Sequence, residues 1–170
     1  NRDYCIMSAI EHDSILQTDK SHQKISVNES GLVELGTLEK LLRGTGSPNI
    51  VSVMLANNET GVIQPVEEIV KLSEPFDTFV HTDAIQACGK INLDWDILGV
   101  DAISLSAHKI GGPQGVGALI LNRSFDLDPR FFGGGQERNY RPGTENIPGI
   151  VGFGVAAELA ADLDRNKRIE

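Results

Sequence analysis

The chain has 170 residues, 15 Lys+Arg against 24 Asp+Glu, a formal charge of -9, and 40% hydrophobic residues. This length and apolar fraction fit one globular domain with a sizeable core, and they exclude fibrous and disordered classes. The acidic balance argues against nucleic-acid and anionic-membrane binding, which need a basic surface. In chain order, Tyr4–Ala9 is a short apolar run that predicts a strand, and His12–Asp19 can start a helix with Asp13 or Ser14 near its cap. Lys24–Val27 predicts a second strand. Leu35–Arg43 repeats apolar residues at helical spacing and stops at Gly44. Ile50–Ala56 is almost wholly apolar, as a buried parallel strand is. Val66–Leu72 predicts a helix opened by Pro65. Thr78–His81 predicts a strand ending at Asp83, and Ala102–Leu105 another ending near Ser106–Lys109. Gly117–Leu121 follows a Gly-Gly-Pro turn and reads as a strand. Phe131–Gly143 reads as a glycine-rich loop, and Ile150–Arg168 as a long amphipathic helix. The alternation predicts an α/β fold, three layers α/β/α around a mainly parallel sheet.

Two cysteines, Cys5 and Cys88, make no disulfide framework, so a reducing, cytoplasmic setting is the default. No stretch reaches the roughly 18–20 apolar residues of a membrane span. Asn-x-Ser/Thr matches at Asn28, Asn58 and Asn122 carry little weight in such a setting. No His-Glu-x-x-His or Cys-x-x-Cys spacing suggests a metal. Gly152-Phe-Gly154-Val-Ala-Ala157 fits a dinucleotide fingerprint only loosely, and small residues opening a packed helix are the better reading. His22 and His81 read as structural, with His81 on the strand face of Asp83.

In open α/β sheets, ligands bind beyond the carboxyl ends of the strands. The polar residues there are His12, Asn57-Asn58-Glu59, Asp83 with Gln86, and Ser106-Ala107-His108-Lys109. An Asp and a Lys on neighbouring strand ends suit pyridoxal 5'-phosphate. That cofactor needs an amine for its aldehyde and a carboxylate against its pyridine nitrogen. An Asp83–Lys109 salt bridge is the bland alternative. Gln86 and Asn58 could reach ring substituents, His12 could stack on a ring, and Ser106 and His108 place donors beside Lys109, suitable for a phosphate. Gly111-Gly112-Pro113 allows a sharp turn after the lysine.

The runs ANNETGVIQP, HTDAIQACGKI, SAHKIGGPQGVGAL and GGGQERNYRPGTENIPGIVG resemble the NifS-like cysteine desulfurases, in the class V branch of the fold-type I pyridoxal-phosphate enzymes. The resemblance runs from about His12 to the last helix. It implies that Lys109 is the Schiff-base lysine and mover of the substrate α-proton, and that Asp83 is the pyridine-nitrogen partner. Gln86 would donate to the phenolic oxygen, His12 would stack on the ring and serve as an acid or base, and Asn58 would lie near the phenolic oxygen and substrate carboxylate. Ser106 and His108 would contact the phosphate. Thr144 would reach the phosphate of the partner subunit in a homodimer. The implied reaction converts L-cysteine to L-alanine and leaves a persulfide on an enzyme cysteine, for iron–sulfur cluster assembly through sulfur-acceptor or scaffold proteins.

Family elements are missing from the sequence: an upstream phosphate-binding loop, the downstream persulfide-forming cysteine with its mobile loop, and an arginine for the substrate carboxylate. Residues 1–170 are therefore expected to form one cofactor-binding large domain, truncated at both ends and without the small C-terminal domain. The abrupt start at Asn1 fits that expectation, and the chain alone is expected not to turn over cysteine. Neither Cys5 nor Cys88 matches the catalytic position. Two rivals share these motifs: a sister activity, such as a selenocysteine lyase or another class V enzyme, and a non-catalytic interaction domain on the same fold.

Overall fold

A computed structural model describes residues 4–18, 22–45, 49–122 and 127–162. Six strands form one sheet: β1 (Tyr4–Ser8), β2 (Gln23–Ile25), β3 (Asn49–Ser52), β4 (Thr78–Asp83), β5 (Ala102–Ser106) and β6 (Gly117–Leu121). Their order is β2-β1-β3-β4-β5-β6. The first five run parallel, and β6 pairs antiparallel with β5. The α/β reading with a mainly parallel sheet is borne out. The direction of β6 was open in the sequence, because an apolar run carries no sign of its direction.

Helices α1 (Asp13–Leu16), α2 (Leu35–Thr45), α3 (Val66–Ser73), α4 (Trp95–Leu98) and α5 (Ile147–Ala160) connect or follow the strands. Each apolar stripe explains its helix. Leu38 and Leu42 of α2, Val66 and Ile69 of α3, and Leu98 of α4 are buried with Ile6, Val51 and Val80 of the strands in one core cluster. Asp94 caps α4, accepting from the backbone N–H groups of Asp96 and Ile97 at 2.9 and 3.1 Å, and Gly99 ends it in the left-handed region. Leu42 has no solvent exposure. Leu42→Ala should therefore cost about 2–5 kcal/mol in urea unfolding, and a loss well below 1 kcal/mol would place the core elsewhere.

The sequence-predicted strand Ile50–Ala56 ends sooner, at Ser52, but its backbone continues alongside β4. Val53 N–H donates to His81 O at 3.1 Å and Leu55 N–H to Asp83 O at 2.9 Å. The predicted strand Thr78–His81 is longer and includes Asp83 as its last residue. The amphipathic reading of the last helix is corrected, and its residues from 163 on lie outside the described ones. Its sequence IPGIVGFGVAAELA is apolar all round. The side that packs is made of small residues: Gly149, Ala156 and Ala160 are buried, while Ile147, Ile150, Val151, Val155 and Leu159 are 43–61% exposed. A Cβ on Gly152 would lie 3.1 Å from the Pro113 ring, so a close-packed small residue explains this glycine better than a dinucleotide turn.

Candidate active site at the carboxyl edge of the sheet

The strand order turns back at β1, since β2 lies on one side of it and β3 on the other. Such a switch point opens a crevice beyond the strand ends. The predicted residues other than Thr144 lie at or after strand ends along this edge. His12 comes after β1, Asn58 after β3, Asp83 and Gln86 at and after β4, and Ser106, His108 and Lys109 at and after β5.

Asp83 is 6% exposed, and its Oδ1 accepts from Ile85 N–H at 2.9 Å. That bond fixes the carboxylate in the turn leaving β4. Lys109 sits in a short 3-10 turn, 107–110, directly after β5, and is exposed. Among the described residues its amine has no ion-pair or hydrogen-bond partner. The Asp83–Lys109 salt bridge is thus not formed, and a buried carboxylate and a free amine stand on adjacent strand ends. Two glycines make the lysine's turn possible. Gly111 takes φ +84, and a Cβ on Gly112 would come within 2.9 Å of Ala107 O. Ser106 Oγ and His108 Nδ1 lie 2.9 Å apart, beside the lysine.

Gln86 is half-buried, and its Oε1 lies 3.4 Å from Lys90 Nζ, which leaves its amide nitrogen as a donor. Asn58 is exposed, donating to Glu59 Oε1 at 2.7 Å. Its neighbour Asn57 is the structural member of the pair. Asn57 is buried, its Oδ1 accepts from Glu59 N–H and Thr60 N–H at 3.0 and 2.9 Å, and its Nδ2 donates to Ile10 O at 3.0 Å. His12 is itself the cap of α1, in place of the expected Asp13 or Ser14. Its Nδ1 accepts from Ser14 N–H at 3.2 Å, which aims the ring from the helix start. Thr144 is exposed in the segment before α5, two residues ahead of the helix cap Asn146. It is not at a strand end, so the sheet geometry does not by itself group it with the others.

His81 is structural, as expected. It is hydrogen-bonded to Ser52 at 2.9 Å and Ser104 at 2.8 Å across three strands. Burial holds its imidazole below the usual value. Cys5 and Cys88 are both half-buried, and burial pushes the Cys88 thiol up. Among the described residues no group of His, Cys, Asp and Glu could hold a metal ion, and no helix is long and apolar enough to cross a membrane.

One residue at this edge escaped the sequence reading. Glu11, in the turn after β1, is 4% exposed. Burial, with the nearby Asp83 charge adding to it, raises its carboxyl from 4.5 to about 7. Between those two values the folded chain holds a proton that the unfolded chain has lost, so stability falls as pH rises through this window. His81 acts oppositely, costing stability as pH falls below 6.5. Glu11→Gln removes only the first effect. Between pH 5 and pH 8, urea unfolding should show the variant gaining about 2–3 kcal/mol on the wild type. An unchanged gap would mean that Glu11 does not titrate in this range.

The donor set fits pyridoxal phosphate: a buried carboxylate, an unpaired amine, amide donors at Gln86 and Asn58, and hydroxyl and imidazole groups beside the lysine. Comparisons with known proteins agree. The model of the family described as aminotransferase class-V matches residues 1–170. The chain is 41% identical to a "Cysteine desulfurase IscS" of Dictyoglomus turgidum, covering 98% of this chain and 43% of that protein. It is 40% identical to a protein of the same name from Methanosarcina thermophila, over 99% of this chain and 44% of the relative. It therefore spans less than half the length of these curated relatives. Among solved structures, a NifS-like protein from Rickettsia africae superposes with TM-score 0.90 at 42% identity, covering 94% of this chain and 45% of that one. A structure described as SspA in complex with cysteine gives TM-score 0.80 at 36% identity, over 91% and 47%. The chain belongs to the class-V aminotransferase family, and within that family its likeness is to the NifS-like cysteine desulfurases.

Proposed function

We propose that this chain is the central part of the cofactor-binding domain of a pyridoxal-phosphate-dependent cysteine desulfurase. The carrying observation is that the buried Asp83 carboxylate and the Lys109 amine, unpaired among the described residues, stand on adjacent parallel strand ends. The likeness to proteins named cysteine desulfurase, and to a structure holding cysteine, favours L-cysteine as the substrate.

Pyridoxal phosphate, when bound, supplies an aldehyde for an amine and a ring that draws electrons from the substrate α-carbon. Lys109 Nζ would be the nucleophile toward that aldehyde and the base for the substrate α-proton. Asp83 holds a proton at the ring nitrogen. Its burial keeps water from competing for that contact, and Ile85 N–H keeps the carboxylate oriented. Gln86 donates through its amide to the phenolic oxygen. Asn58 serves the same oxygen or the substrate carboxylate. His12, aimed by its bond to Ser14, covers the ring. Ser106 and His108 donate to the phosphate, and Thr144 to the phosphate of a partner subunit.

Neither cysteine of this chain is assigned as the sulfur acceptor. Cys5 lies inside β1, and Cys88 lines an apolar groove with Trp95, Ile103 and Leu105. The whole protein, expressed from its full natural gene, should release alanine from L-cysteine and leave protein-bound sulfur that thiols can cleave. Alanine release without bound sulfur would point to a sister activity. Absence of both, with cofactor bound, would point to a non-catalytic role.

A further inference from the structure

The turn after β1 carries His12; its first residue, Ala9, still donates its N–H to Ile25 O of β2 at 2.9 Å, but β1 itself ends at Ser8. Two side chains fasten it to the continuation of β3. Glu11 Oε1 accepts from Met54 N–H at 2.7 Å and from Ser8 Oγ–H at 2.5 Å. Asn57 Nδ2 donates to Ile10 O at 3.0 Å from the same stretch. Glu11 thus supplies the carbonyl-like acceptor that a longer β1 would have given Met54. The neighbouring N–H groups, Val53 and Leu55, bond to the other side, to β4, and Leu55 bonds to Asp83 itself. The residues 53–55 therefore tie Glu11 on one flank to Asp83 on the other.

We infer that Glu11 is a positioning residue of the candidate site, clamping the turn that carries His12 onto the end of β3 and so setting the ring of His12 relative to Asp83. This rests on the pyridoxal-phosphate reading above. The two oxygens of Glu11 are used unequally. Both donors go to Oε1, while Oε2 is buried without a hydrogen-bond partner. A second charged carboxylate there would be desolvated and close to Asp83, which favours the neutral acid below about pH 7.

The inference separates three variants of the protein expressed from its full natural gene. Glu11→Gln keeps an acceptor at the position of Oε1 and stays neutral. Glu11→Met keeps length and loses the acceptor. Glu11→Asp keeps a carboxyl but withdraws it by one methylene, and it carries the test if Glu11→Met does not fold. Pyridoxal phosphate titrations, read by visible absorbance and circular dichroism, should give Glu11→Gln a dissociation constant within threefold of wild type. The Met and Asp variants should weaken at least tenfold and lose the induced dichroism of the ring, at temperatures where each remains folded. Hydrogen exchange at the Met54 amide, measured without cofactor, should accelerate at least tenfold in Met and Asp and stay near wild type in Gln. Equal affinity and dichroism across all variants would overturn the inference, as would a Gln variant as damaged as Met. A wild-type protein that takes up no pyridoxal phosphate would instead overturn the functional reading, an outcome visible before any variant is compared.

Discussion

Lys109→Ala is expected to abolish the visible absorbance of bound pyridoxal phosphate and to lower alanine release by about 100- to 10,000-fold. The proposed function gives this one amine two roles, nucleophile and base, and each alone carries a large factor. The structure makes this a clean substitution. Lys109 is exposed, pairs with no described residue, and follows a turn shaped by Gly111 and Gly112 rather than by its own side chain. The fold should be untouched, with a melting temperature within a degree or two of wild type. Retained absorbance would move the covalent link to another lysine.

Asp83→Asn is the second large effect. Asparagine keeps the oxygen that accepts from Ile85 N–H, so the turn leaving β4 survives. What disappears is the negative charge that, in the proposed function, would hold a proton on the ring nitrogen. Removing one preorganised electrostatic partner of this kind costs on the order of 100- to 1,000-fold in turnover. Cofactor should still bind covalently through Lys109, so the variant separates chemistry from loading. Turnover within tenfold of wild type would show that Asp83 is not the partner of the ring. Loss of cofactor together with turnover would assign Asp83 to binding rather than to the reaction.

The fold class and most of the site were legible in the sequence for the same reason. Strands buried on both faces read as apolar runs, and the polar residues that break them fall at the carboxyl edge. Asp83, Ser106 and Lys109 could be placed this way. Glu11 could not, because a polar residue in a turn carries no local sign of burial. Its burial depends on Met54, far along the chain, and on β1 stopping at Ser8. The rule that marked His12 applied equally one residue earlier. The packing side of α5 was hidden differently. In a helix apolar all round, periodicity carries no contrast, and only the tight fits at Gly149 and Gly152 show which side packs. Of the adjacent Asn57 and Asn58, burial makes the first a structural amide and leaves the second exposed, a division the sequence does not show.

The antiparallel pairing of β5 with β6 has a consequence in time rather than in space. Its two strands are joined by the short connection 107–116, which contains Lys109, whereas each parallel pair waits on a longer crossover. Closing a short loop costs less entropy, and local pairings form sooner than distant ones. The lysine's turn is thus among the first parts of the molecule to take shape. The strand ends bearing His12, Asn58 and Asp83 arrive afterwards, as β1, β3 and β4 align. By that order, changes to the backbone of 107–116 are expected to slow folding, while core substitutions along the crossovers, such as Leu42→Ala, are expected mainly to speed unfolding.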